Sequence, residues 1–150
     1  MLMTVAVSCN KNEFDFSYSH HIDFNSAGYY NYVDKYYEFV FTSDKLDLSS
    51  PVLSEPDGGW IVVSFPIECM GKKTPLSEKL NDFDDPFYIF DDRYSYYYGS
   101  DFKSGYIYAD LDESKHKIKF EIDGITSGGY HLKVHYQGPI SKSEEYIYSW

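Results

Sequence analysis

Cysteine is scarce in this chain: only Cys9 and Cys69 occur among 150 residues. No disulfide web holds such a fold together, and none is required, since a chain this long buries roughly two-thirds of its unfolded surface. Arginine is scarcer still, with Arg93 alone, and the net charge of -11 leaves no basic footprint for phosphate. That balance argues against a nucleic-acid partner. Helix signals are nearly absent, and so are a Gly-rich phosphate loop, a G-x-S-x-G turn and an H-E-x-x-H pair, so the chain reads as non-catalytic, with no cofactor expected. The apolar opening, Met1 to Ser8, falls far short of the about 20 residues that a spanning helix needs.

Aromatic residues are abundant instead. Tyr 17 and Phe 11 bring the aromatic fraction to 20%, and tyrosine, with an apolar body and a polar tip, suits half-buried strand positions. The clearest pattern lies between Gly105 and Ile140, where alternating apolar residues broken by Asp, Ser and Gly clusters predict a three-stranded antiparallel meander. Ile107, Ala109, Leu111, Ile118, Phe120, Ile122, Leu132, Val134 and Tyr136 share one face. Tyr106, Tyr108, Lys117, Lys119, Glu121, His131, Lys133 and His135 take the other, which is wet.

Upstream, Glu13 to His20 alternates as a short strand at an edge. Residues 21–35, with an Asn-Ser-Ala-Gly break, read as loop. Tyr36 to Thr42 predicts a strand, and Trp60 opens WIVVSFPIEC, the most apolar run and the expected central strand, although Pro66 favours an edge or a bulge. Cys69 lies in phase with its apolar side as a buried thiol; a Cys9–Cys69 disulfide is the rival. Thr74 as cap and Pro75 at the first position predict one short helix near residues 74–81. Pro86 to Phe90 and Tyr94 to Phe102 predict two further strands, and Tyr146, Tyr148 and Trp150 alternate through a last one. The fold expected is all-β: a single-domain antiparallel sandwich or small closed barrel of about seven to nine strands.

Candidate sites are weighed against ordinary surface chemistry. Asp82, Asp84, Asp85, Asp91 and Asp92 are dense hard ligands for calcium but lack the spacing of a calcium loop, so a solvated acidic face is preferred and no metal is expected. His131 and His135 share a face, yet about 13 Å of strand separates them, too far to chelate one ion. The binding set is the tyrosine run Tyr94, Tyr96, Tyr97 and Tyr98, with Arg93 and Trp60. Flat rings beside polar groups suit sugar rings or an aromatic-anchored protein contact.

Ala6, Val7 and Ser8 resemble the residues preceding the lipidated cysteine of a bacterial lipoprotein, which makes Cys9 the lipidation site. Together with YYEFVFTS and the closing KIKFEIDGITSGGYHLKVHYQGPI, the chain resembles small cell-envelope lipoproteins of Bacteroidetes that carry a β-sandwich or lipocalin-like barrel. The resemblance implies an outer-membrane address and no particular catalytic residues. The organisation expected is a signal tail at 1–9, a linker with an edge strand at 10–35 and a β-domain at 36–150. The function expected is a lipid-anchored envelope domain that binds a glycan or an envelope or host protein. Rivals are an adhesive subunit assembling by strand pairing, an acidic inhibitor of a cationic enzyme, and a small outer-membrane barrel, which the alternating aromatic terminus suggests.

Overall fold

The computed structural model describes residues 11–16, 20–32, 34–45, 52–53, 59–76, 88–91, 95–98 and 102–146. Near the front lie β1 (Glu13–Phe16), β2 (His20–Asp23), β3 (Ser26–Tyr32) and β4 (Tyr36–Thr42). The middle holds β5 (Val52–Leu53), β6 (Trp60–Pro66), β7 (Thr74–Pro75), β8 (Tyr88–Asp91) and β9 (Ser95–Tyr98). Three long strands follow, β10 (Phe102–Asp112), β11 (Lys117–Thr126) and β12 (His131–Pro139), and then the short β13 (Ser141–Lys142) and β14 (Glu145–Tyr146).

These strands make two six-stranded sheets. Sheet A runs β2-β1-β12-β11-β10-β7, sheet B runs β13-β3-β4-β6-β8-β9, and β14 pairs with β5 in a separate ribbon. Pairing is antiparallel except for the short β13–β3 and β14–β5 contacts. The sheets face each other across an aromatic core. Phe41 of sheet B stands 4.7 Å from Phe120 and 5.2 Å from Tyr136 of sheet A, and Phe39 stands 5.8 Å from Phe120, centroid to centroid. The architecture is a β-sandwich. Among the described residues the strands do not close on themselves, so the barrel alternatives give way to two sheets held apart by their own inward rings.

The meander is as the alternation requires. Ile107, Ala109, Ile118, Phe120, Ile122, Leu132, Val134 and Tyr136 are buried in the core, with Leu111 packed against it. β6 is the central strand expected, flanked by β4 and β8 and buried along its whole length. Pro66 sits at its last position, and the next donor toward the β4 side is the Ile67 N–H, which binds the Lys35 carbonyl, so the missing proline N–H interrupts nothing there.

Several expectations are corrected. The described residues between 11 and 35 are strands of the domain rather than a linker: β1 and β2 complete sheet A, β3 joins sheet B, and Phe14 and Tyr29 are core residues. The Asn-Ser-Ala-Gly stretch, taken as a loop break, is strand from Ser26 onward, because β3 pairs with β4 without interruption from Ser26↔Thr42 to Tyr32↔Tyr36. The chain reverses instead between Tyr32 and Tyr36, where Asp34 adopts a φ of 57°. β1 is an inner strand, and β2 forms the edge.

The helix expected at residues 74–81 does not begin at Thr74 and Pro75. Both belong to β7, opposite Ile107 and Tyr106. The N–H groups of Gly71 and Leu76 donate to the Ala109 and Gly105 carbonyls, so this segment satisfies the outer edge of β10. Proline is tolerated there because β7 is terminal in sheet A. Residues 77–81 lie outside the described residues. A short 3₁₀ turn, Ile67–Cys69, carries Cys69 out of the strand but keeps it in the core as a free thiol, 4% exposed.

Candidate functional site

The open face of sheet A is assembled by register. Asp23, Glu13, His135, Glu121 and Tyr108 stand opposite one another in a row across five strands. The neighbouring row on the same face holds His21, Asp15, Lys133, Asp123 and Tyr106. Each row mixes acids, bases and one aromatic. Opposite charges facing each other across strands contribute about 0.2–1 kcal/mol per pair and help fix the register.

Where the rows cross β10, β11 and β12 the surface dips into a depression of about 180 Å³, bordered by Glu13, Tyr106, Glu121, Asp123, Lys133 and His135. The Tyr106 hydroxyl donates to Glu121 at 3.2 Å, and the Lys73 ammonium sits 4.4 Å from the Tyr106 ring centroid. A cation over a tyrosine face adds about 0.5–1 kcal/mol at an exposed site, so the ring is held from both ends. Glu121 also lies 3.7 Å from His135 and 3.7 Å from Lys119. One carboxylate therefore organises three neighbours.

Burial raises the Tyr106 hydroxyl above its ordinary pKa, and the charge of Glu121 adds to it. Burial lowers that of His135, outweighing the attraction of Glu121. Tyr106 is thereby kept as a neutral hydroxyl and His135 is biased to its neutral form. His131 pairs with Asp123 at 2.5 Å on the same face.

At the outer corner, His21 sits among three carboxylates. Its Nε2 lies 2.9 Å from Asp23 and 3.8 Å from Glu13, while its Nδ1 lies 3.8 Å from Asp15. The hydrogen bond to Asp23 raises the His21 pKa, the slight burial opposes it, and the surrounding negative charges reinforce the rise.

The tyrosine run expected to bind lies in the other sheet. Tyr96, Tyr97 and Tyr98 belong to β9, the last strand of sheet B. Tyr97 is opposite Ile89 in the register row of Val63 and Phe39, and Tyr96 is opposite Phe90 in the row of Val62 and Val40. Trp60 is 2% exposed at the start of β6, so its ring is packed and offers no stacking platform. Asp91 ends β8. Arg93, Tyr94, Asp82, Asp84, Asp85, Asp92 and Cys9 lie outside the described residues.

Sequence reasoning placed Tyr106, Tyr108, Glu121, Lys133 and His135 on the wet face but did not join them to Glu13, Asp15, His21 and Asp23. The missing link is the β1–β12 pairing, which brings together strands more than a hundred residues apart. Only the matching alternation of Glu13 and Asp15 against Phe14 and Phe16 signals that β1 has a wet face to contribute. No known protein family, curated protein or solved structure matches this chain.

Proposed function

We propose that this chain is a non-catalytic binding domain of the bacterial cell envelope, lipid-anchored at Cys9, which binds a glycan through the open face of sheet A. The observation that carries the reading is the depression around Tyr106, where an aromatic ring with its hydroxyl, the carboxylates of Glu13, Glu121 and Asp123, the Lys133 ammonium and the His135 imidazole converge. A sugar ring presents an apolar C–H face and a rim of hydroxyls that donate and accept. Aromatic rings with a polar handle suit the first, and fixed polar groups fix orientation for the second. The lipid anchor rests on the Ala-Val-Ser-Cys pattern alone.

The test is a glycan array probed with the detergent-free protein beside Tyr106→Ala and Glu121→Gln, with Tyr96→Ala and Tyr98→Ala in parallel. Saturable binding that weakens about tenfold or more in the first two variants, equal to about 1.4 kcal/mol, supports the open face. Loss in the β9 variants alone moves the site to sheet B. A folded protein that binds nothing on the array overturns the glycan reading.

A further inference from the structure

We propose that the outer corner of the β1–β2 pair binds a divalent transition metal, zinc by preference, through Glu13, His21 and Asp23. The backbone sets the arrangement. Glu13 and Asp23 are direct partners, as are Asp15 and His21, and alternate residues of each strand share a face. Four outward side chains thus stand at the corners of one cross-strand rectangle, its facing Cβ atoms about 4.5–5.5 Å apart.

The ligand atoms are already close to a coordination polyhedron. One atom each from Glu13, His21 and Asp23 lie within 4.8 Å of one another. The His21 Nε2 is 2.9 Å from Asp23 and 3.8 Å from Glu13. A tetrahedron drawn around zinc with bonds of about 2.1 Å has edges of about 3.4 Å. The two observed separations bracket that edge, so small side-chain rotations complete the set.

The imidazole distinguishes this corner from an acidic patch. Carboxylates alone suit magnesium or calcium, whereas one imidazole with two carboxylates favours zinc, and three protein ligands leave a fourth position for water or a ligand atom. The second ring nitrogen matters as well. Asp15 lies 3.8 Å from Nδ1, beyond hydrogen-bond reach but on the side from which a carboxylate that closes to hydrogen-bond distance orients a metal-bound histidine and leaves Nε2 to the metal. Elsewhere on this face His131 pairs with Asp123, and His135 pairs with Glu121 and stands opposite Glu13. Lys133 is the direct cross-strand partner of Asp123, and Lys119 lies beside Glu121, which disfavours a cation there. Lys133 also stands opposite Asp15, but none of the three ligands Glu13, His21 and Asp23 has a lysine as its direct strand partner.

The site is tested on the full chain, stripped with a chelator, by calorimetric titration with zinc chloride and by the visible spectrum of the cobalt(II) form. The expected result is one zinc per chain, with affinity reduced at least about tenfold in His21→Ala and Asp23→Asn and unchanged in His131→Ala. His21 and Asp23 are 49% and 74% exposed at the side chain, so these variants keep the fold, which far-UV circular dichroism checks. A measurement without mutation stands beside it: zinc should move the ring-nitrogen resonances of one imidazole among the five in the chain. Absence of saturable zinc uptake, uptake by His21→Ala equal to the parent, or displacement of zinc by an equal concentration of calcium each overturns the assignment.

Discussion

The two sheets use the same strand geometry and solve opposite problems. Sheet A buries one face and wets the other: along β11 the core residues Ile118, Phe120 and Ile122 alternate with Lys117, Lys119 and Glu121. The middle of sheet B is buried on both sides. Phe39 and Phe41 with Ile61, Val63 and Phe65 face the core, and Glu38, Val40 and Thr42 with Trp60, Val62 and Ser64 are buried on the reverse. A wet face leaves room for a site built of charges and hydroxyls. A doubly buried strand spends its side chains on packing, so an aromatic there, such as Trp60, is structural.

The largest effect expected tests the layer that both sheets share. Phe41 contacts Phe39, Phe120 and Tyr136 and is fully buried. Phe41→Ala should cost about 3–5 kcal/mol, from lost transfer energy and a cavity that rigid strands on both sides cannot collapse. Urea unfolding measures it; a loss below about 1 kcal/mol would mean that the two sheets do not depend on each other here.

The contrast itself is tested by one outward residue from each sheet. Val62→Ser on the reverse of sheet B should cost about 2–4 kcal/mol, because buried methyl groups are lost and a hydroxyl is buried in their place. Lys119→Ser on the open face of sheet A should stay within about 0.5 kcal/mol. A loss for Val62→Ser as small as that for Lys119→Ser would show that both faces are wet, a loss for Lys119→Ser as large as that for Val62→Ser that both are buried, and either way the comparison would fail.

How legible the fold was follows from the same difference. Alternation reports which side of a strand is buried whenever the other side is wet, so the faces of β10, β11 and β12 could be read residue by residue. It does not report which strand lies alongside. Glu13 to His20 therefore reads as a short strand at an edge, although β1 pairs with β12 on one side and β2 on the other. The same ignorance hid the site, since the rows through Tyr106 and His135 exist only once strand order is known. β3 was missed because Asn25 to Gly28 carries turn chemistry, yet Gly28 lies opposite Val40 and Ala27 is buried. At Thr74-Pro75 a local capping signal lost to pairing along the β10 edge. Cap preferences are worth about 1 kcal/mol, which tertiary hydrogen bonds readily override.

A smaller effect probes how closely β7 and β10 are seated on β11. A Cβ at Gly124 would stand 2.7 Å from Leu76 Cδ1 and 2.8 Å from Phe102 Cδ1. Both neighbours are buried. Gly124→Ala should cost about 1–3 kcal/mol through overpacking. Adding Leu76→Ala should recover part of that loss beyond additivity, and strictly additive double-mutant energies would place the strain elsewhere.

The smallest effect sets the centre of the open face against its corner. Burial holds the His135 pKa below its ordinary value, so between the unfolded value of about 6.5 and that lower value the unfolded chain binds a proton that the folded chain refuses. Stability contributed there is present above about pH 6.5 and is lost as the pH falls toward the folded pKa. His21 runs the other way. The Asp23 hydrogen bond raises its pKa, so its contribution is present below about pH 6.5 and is lost as the pH rises through the folded value. Its effect is the weaker, since half of the side chain is exposed and solvent screens the pairs. Denaturant titrations at pH 5 and pH 7.5 should show a shallower loss on acidification for His135→Gln than for the parent, and a steeper one for His21→Gln. Matching slopes in all three proteins would mean that neither imidazole senses its place on the sheet, and a reversed order would exchange the buried centre with the solvated corner.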